Sequence, residues 1–294
     1  MKKFLKKTSL FLVTAAMTVS APLMAWALEH DIVILHTNDI HCGINDNIGF
    51  AGLAQIKKDA LARTPNVALV DAGDAIQGAP IGKLSRGLAV VNIMNYLGYD
   101  FCIPGNHEFD YGMDRFLELV PLQRAGYYCA NFVYAGNNKQ VLPGYKIMQY
   151  EDTKVAFVGA STPESLTTST PTFFQNEKGQ YIYSFCEDKS GSKLYKQLQK
   201  NVDKARKDGA DYVFIVGHLG MDGTTPQWSS ESVAKNTQGV DAVIDGHSHE
   251  RFTRMVKNKV GKDVLLAQTG TKLKTVGELV ISPGGKLKSR LITE

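Results

Sequence analysis

The chain carries 33 Lys and Arg against 29 Asp and Glu across 294 residues, and its net charge of +4 is local. Lys2, Lys3, Lys6 and Lys7 supply all of that excess within residues 1–27, which contain no acidic residue, so residues 28–294 are neutral overall. A neutral body without basic runs excludes nucleic acid or an anionic membrane surface as the main partner, and the scattered lysines read as solvated.

The four lysines precede an apolar run, "SLFLVTAAMTV", and then Ala25-Trp26-Ala27. This is the pattern of a secretory signal with an A-x-A cleavage site. Thr14, Thr18, Ser20 and Pro22 interrupt a run already short for spanning, which argues against an uncleaved anchor. Cys42 is the first cysteine, too far along for a lipid-anchored form. The expected destination is periplasmic or secreted, with cleavage after Ala27. Residues 28–294 are long enough to bury a full core and suit one large α/β domain without linker or repeat. Cys42, Cys102, Cys129 and Cys186 can pair in several ways that spacing does not choose among, and Cys102 and Cys129 lie in strand-like stretches where buried thiols are expected.

In chain order, "DIVILHT" (31–37) predicts a strand, 50–63 a helix, "NVALVDAG" (66–73) a strand, 87–97 a helix and "YDFCIPG" (99–105) a strand. A helix after Gly112, strands near 127–133, 146–150 and 154–160, and a Thr- and Ser-rich surface loop at 161–172 follow. The pattern resumes with a helix near 190–208, a strand at 211–217, a short helix near 229–237 and a strand at 240–246, and 251–294 reads as hairpins turning at "GKD" (261–263) and "SPGG" (282–285). Strands alternating with helices predict a mixed or parallel sheet with crossover helices.

Polar residues follow five of these strands directly: Asn38-Asp39-Ile40-His41, Asp71-Ala72-Gly73-Asp74, Gly105-Asn106-His107, Gly217-His218 and Gly246-His247-Ser248-His249. Open α/β sheets bind ligands at that edge. Each piece alone is weak, since Asp-x-His in a loop is more often solvated and a Gly-Asp or Gly-His is more often a turn. Chance gives no reason for five of seven histidines to share one edge. His30 lies in a segment where a surface role is the default, and His36 alternates with Asp39 and His41, so it is read as a packed residue facing the other side. Asp39 and His41, two apart in an extended segment, should project together, as should His247 and His249. Carboxylates, an amide oxygen and imidazoles suit divalent ions such as Mn, Zn, Fe or Co. Seven candidates exceed one catalytic ion with three protein ligands, whereas two ions about 3.5–4 Å apart would use them. A carboxylate can bridge two cations with its two oxygens, so Asp39 or Asp74 is the expected bridge.

"ILHTNDIH" (34–41), "DAGDAIQG" (71–78), "GNHEFDYG" (105–112), "VGHLG" (216–220) and "DGHSHE" (245–250), in this order, resemble the secreted 5'-nucleotidase and UDP-sugar hydrolase family of the calcineurin-like metallophosphoesterase superfamily. The resemblance runs from about residue 31 to the end. It implies an α/β, four-layer sandwich of two mixed β-sheets flanked by helices. It also implies phosphoester hydrolysis by a metal-bound hydroxide at two divalent ions, and a small phosphoester, expected to be a nucleotide, as partner. Carried over by position, it places Asp39, His41 and His249 on one ion, Asn106, His218 and His247 on the other, and Asp74 between them. His107 resembles the histidine that serves the leaving group, and Asp110 would hold that imidazole if the segment turns. Glu108 matches the motif without an arguable role and is expected to be solvated or capping. Cys42 stands where the family usually has Gly and is expected to be an uninvolved thiol. Family members with nucleotidase activity usually carry a C-terminal substrate domain, which this chain is expected to lack. The alternatives are 2',3'-cyclic nucleotides or nucleotide sugars at the same site, small non-nucleotide phosphates, the thiosulfohydrolase of sulfur oxidation as a more distant relative, or a non-catalytic metal-binding module needing a partner chain.

Overall fold

The computed structural model describes residues 28–221 and 223–294, and the expected leader, residues 1–27, lies outside them. The first half runs β1 (Ile32–Thr37), α1 (Gly49–Arg63), β2 (Val67–Asp71), α2 (Pro80–Ser85), α3 (Leu88–Leu97), β3 (Phe101–Cys102), α4 (Met113–Leu119), β4 (Val133–Tyr134), β5 (Tyr145–Tyr150) and β6 (Thr153–Ser161). The second runs α5 (Ser165–Thr168), β7 (Tyr183–Ser184), α6 (Ser192–Lys207), β8 (Tyr212–His218), α7 (Ser230–Asn236), β9 (Ala242–Ile244), β10 (Arg251–Lys257), β11 (Asp263–Thr269), β12 (Val276–Ile281) and β13 (Leu287–Ile292).

Every residue of β1 is buried, which is why "IVIL" shows no apolar–polar alternation: both faces of this strand are covered. Ile32 and Ile34 point between two sheets, against Phe101, Phe157 and Phe214, while Val33 and Leu35 point to a helical layer with Leu53, Val91 and Met94. One sheet has the order β13-β12-β1-β2-β3 and the other β10-β11-β9-β8-β6-β5. In each, a parallel centre is flanked by antiparallel strands. Helices α1, α3 and α4 cover the first sheet, and α6, through Leu194, Leu198 and Val202, covers the second together with α7. The result is the expected four-layer sandwich, with a small β4-β7 ribbon added. Truncating Ile34 to Ala at its centre should cost about 2–5 kcal/mol, as for other buried aliphatics.

Several boundaries differ from the sequence reading. Of the strand expected at 99–105 only Phe101–Cys102 pairs, because Pro104 has no N–H to donate. Near 127–133, Tyr127 makes an isolated bridge to Cys102 and regular pairing begins only at Val133. Helix α2 was missed: Pro80 opens it, and Gly82 lies too close to Cys42 and Tyr111 for any larger residue. The loop at 161–172 coils into α5 and a 3-10 turn at Pro171–Phe174. The C-terminal hairpins form as read, but they part company, since β11 joins the second sheet while β12 pairs antiparallel with β1.

Candidate functional site

The C-terminal ends of β1, β2, β3, β8 and β9 meet at one edge of the sandwich, where His218 at the end of β8 bonds through Nδ1 to Ala72 O beyond β2 at 2.7 Å. That bond presents Nε2 of His218 to the cleft.

Behind β1, Asn38 is a clamp: its Nδ2 donates to Asp39 Oδ2 at 2.6 Å and to Gly270 O at 2.7 Å, and its Oδ1 accepts Thr269 N–H at 2.8 Å. Asp39 Oδ2 also accepts the His247 N–H at 2.9 Å. Only Oδ1 of Asp39 is left to face the cleft, 3.1 Å from His249 Nε2 and 3.8 Å from both His41 Nε2 and His218 Nε2. Asp74 is divided in the same way. Its Oδ1 accepts the His107 N–H at 2.8 Å, and its Oδ2 lies 3.0 Å from His218 Nε2 and 3.9 Å from His41 Nε2. One oxygen of each carboxylate thus accepts hydrogen bonds from within the protein, and the other faces the histidines of the cleft.

The extended geometry expected for the two His-containing pairs is corrected. Asp39, His41, Asp74, His247 and His249 all have φ between 46° and 83°, the left-handed region. This turns His247 and His249 apart. His249 reaches Asp39 and His41, whose Nε2 is 3.1 Å away, whereas the His247 ring packs 5.0 Å from that of His218. Asp39, His41 and His249 each offer a ligand atom within 4.8 Å of one another, and so do Asp39, Asp74 and His218. His247 joins neither group, and its Nε2 is hydrogen-bonded to Glu164 at 2.9 Å.

Glu108 is neither solvated nor incidental. It is buried, and its carboxylate accepts the N–H groups of Gly105 at 2.6 Å, Asp74 at 2.7 Å and Ala75 at 2.8 Å, tying the exit of β3 to that of β2. Burial first, and then the charge of Asp74, raise its carboxyl to about 7. The exits of β3 and β9 also need glycine: a methyl on Gly105 would collide with Asp74 Oδ1, and one on Gly246 would sit 2.9 Å from both Asp39 Oδ2 and His218 Nδ1.

His107 begins a 3-10 turn, His107–Phe109, which brings Asp110 Oδ2 to 2.6 Å from its Nδ1. That hydrogen bond, opposed by burial and assisted by Asp74, raises the imidazole to about 9. Ser169 donates to the other Asp110 oxygen at 3.1 Å. His41 packs edge-on to His107 with ring centres 5.4 Å apart, so the half-buried His107 sits at the rim of the ligand cluster. Cys42 is buried against Gly82 and joins neither group of ligand atoms, and the four cysteines are all buried and unpaired. His36 is fully buried between the sheets opposite Gly277, and His30 bonds to Glu151 at 2.8 Å at the surface.

The donor set fits divalent ions. Asp39 Oδ1, Asn106 Oδ1 and His218 Nε2 are buried without a well-aligned hydrogen bond, Asp39 Oδ1 and His218 Nε2 meeting only other members of the cluster at 3.0 Å or more, an arrangement that costs up to about 1–3 kcal/mol per group unless something else binds there. Asp39 and Asp74 are buried too, with Glu108 close to Asp74, and among the described residues their ion-pair partners are histidines, not Lys or Arg. Burial alone would lower His218, but Asp74 and Asp39 raise it to about 10: the cluster draws positive charge to itself.

Glu164 was missed by reading the sequence. It follows β6, a sixth strand end at the same edge, and it escaped notice because Ser161-Thr162-Pro163-Glu164 carries no Asp or His. Hydrogen bonds from His247 and Thr225 hold its carboxyl at about 2.

The calcineurin-like phosphoesterase family model matches residues 32–251, and the chain belongs to that family. Among its relatives, a Homo sapiens 5'-nucleotidase is 30% identical over 80% of this chain and 41% of its own length, and a snake venom 5'-nucleotidase from Gloydius brevicauda is 29% identical over 82% and 40%. The solved 5'-nucleotidase precursor from Thermus thermophilus superposes with a TM-score of 0.75 at 25% identity, over 90% of this chain and 54% of that one. The chain thus spans about two fifths of the length of the human and venom 5'-nucleotidases. Among the described residues no helix is long and apolar enough to cross a membrane.

Proposed function

We propose that this chain is an exported phosphoester hydrolase that releases phosphate from 5'-nucleotides or related phosphomonoesters at two divalent ions. The observation that carries the reading is the set of buried Asp39 Oδ1, Asn106 Oδ1 and His218 Nε2 without a well-aligned hydrogen bond, beside a raised histidine, in a chain of this family. Asp39, His41 and His249 would hold one ion, Asn106, His218 and His247 the other, and Asp74 would serve both. When bound, ions of this kind activate water and offset charge on the phosphoryl oxygens. Asn38 and Glu108 fix the backbone that aims the two aspartates. His107 holds a proton for the leaving alkoxide, and Asp110, steadied by Ser169, keeps the Nδ1 side of the ring occupied so that Nε2 is the nitrogen that donates.

A cavity of about 1070 Å³ opens beside Asp110, lined by Gln77, Pro80, Lys83, Leu84, Tyr111 and Thr168 among others. It lies on the His107 side, where the leaving group must depart, and it is roomy enough for a nucleoside. Two 5'-nucleotidase relatives favour the same substrate class. The leader-like residues 1–27 and the venom origin of one relative support export.

The test is phosphate release by the purified chain with Mn or Zn from AMP, p-nitrophenyl phosphate, 2',3'-cyclic AMP, UDP-glucose and glycerol phosphate. Turnover of AMP well above glycerol phosphate is expected. No release from any of the five refutes hydrolysis, and a preference for the cyclic ester or UDP-glucose replaces the monoester assignment.

A further inference from the structure

We propose that Glu164 is a positioning residue for His247, selecting the tautomer in which Nδ1 is free to bind an ion; this rests on the reading of His247 as a ligand. The geometry divides the Glu164 carboxylate cleanly. Oε1 accepts Thr225 N–H at 2.6 Å and Thr225 Oγ1–H at 2.5 Å, and Oε2 takes His247 Nε2 at 2.9 Å. A carboxylate only accepts, so Nε2 carries a proton, and in the neutral imidazole that a metal ligand requires the lone pair is then on Nδ1. A carboxylate behind a ligating imidazole also makes it a stronger donor, and loss of such a partner typically costs tenfold to a hundredfold in metal affinity. The side chains of both Glu164 and His247 are nearly buried, at 17% and 12% exposure, so water cannot readily replace either one. The same loop reaches Asp110 through Ser169, so one segment braces both a proposed ligand and the proposed proton donor.

Glu164→Gln separates this role from a purely structural one. With its oxygen kept on Thr225, where two donors need an acceptor, the amide NH2 faces His247 and can only donate. The imidazole must then present the Nε2 lone pair, placing the proton on Nδ1, the wrong nitrogen for an ion. The loop keeps its Thr225 bonds throughout.

The experiment titrates Mn2+ or Zn2+ into metal-free protein by calorimetry, with 15N-histidine spectra of the metal-free protein to read the tautomer. Expected for Glu164→Gln are one ion weakened tenfold to a hundredfold, the other unchanged, and a His247 signal moved from the Nε2–H to the Nδ1–H form. Thr225→Val, which removes one loop bond and leaves the Glu–His pair, should bind as wild type. Wild-type affinity for both ions in Glu164→Gln overturns the inference, as does equal weakening by Thr225→Val, which would place the effect in the loop. His247→Ala distinguishes the two levels: if it keeps both ions, His247 is no ligand and the underlying reading fails; if it loses one while Glu164→Gln loses none, only the role of Glu164 fails.

Discussion

Replacing Asp110 by Asn removes the carboxylate that keeps His107 protonated. The 2.6 Å bond from His107 Nδ1 to Asp110 is the largest cause of a raised imidazole, at about 9 against an ordinary 6.5. Asp74 remains in the variant, and with 33% of the ring exposed water screens part of the change, so the imidazole is expected to fall from about 9 toward its ordinary value without reaching it. A raised histidine loses its proton as pH climbs through the folded-state value. At pH 8.5, where the wild type is about three quarters protonated, the variant should lose most of its protonated fraction, whereas at pH 6.5 the variant stays at least about half protonated and the loss is at most about twofold. The assay is kcat for phosphate release from AMP at the two pH values, with p-nitrophenyl phosphate as control, since its phenolate departs without needing a proton. Equal losses at both pH values, or an equal loss with the control, would show that Asp110 acts on the fold or the ions and not on a proton at His107.

Asp74→Ala should abolish tight binding of at least one ion, read by metal analysis after dialysis; unchanged stoichiometry would end its assignment to both. His107→Ala should leave ion content near normal while lowering kcat for AMP by about 10²–10⁴-fold, the usual range for general acid catalysis, and loss of both ions instead would make His107 a ligand. Burial lowers His36 to about 4, so its neutral form is the one that folds. The stability it confers is complete above 6.5 and lost as pH falls toward 4, about 3 kcal/mol in all. His36→Leu should flatten the acid side of the pH–stability curve by about that amount in urea unfolding, and an unaltered slope would mean that the buried ring does not govern it.

The layers of this fold were legible because "IVIL", "VALV" and "YVFIVG" are apolar without alternation, and such runs signal strands covered on both faces. The site was legible for a related reason: Asp, Asn and His crowd the exits of those strands, and the end of a strand is where a sheet hands its residues to the cleft. What could not be read was conformation at the exits. Asp39 and His41 do converge as expected, but treating 247–249 as extended put His247 and His249 on one side, and Asp39, His41, Asp74, His247 and His249 are all left-handed, a state that costs roughly 1–2 kcal/mol per non-glycine residue. No local pattern announces five such residues, because what stabilises them is remote. His41 N–H bonds Asp74 O, Asp39 N–H bonds Gly73 O, and Lys272 N–H bonds Asp39 O, so each turn is closed by another strand's exit. Glu108 stitches two of these exits and Glu164 a further one; the role of Glu108 could not be read and Glu164 was not noticed, because the Asp74 and Thr225 amides and the His247 ring that they bind are far away in sequence. Strain at the ligands and buried carboxylates behind them are thus one design. Backbone bonds between strand exits close the left-handed turns at Asp39 and His41, Glu108 holds the Asp74 amide, and one oxygen of Asp39 and one of Asp74 face the cleft. Local sequence rules locate such a site and misjudge its geometry, since the constraint that sets the geometry is carried by contacts between strand ends.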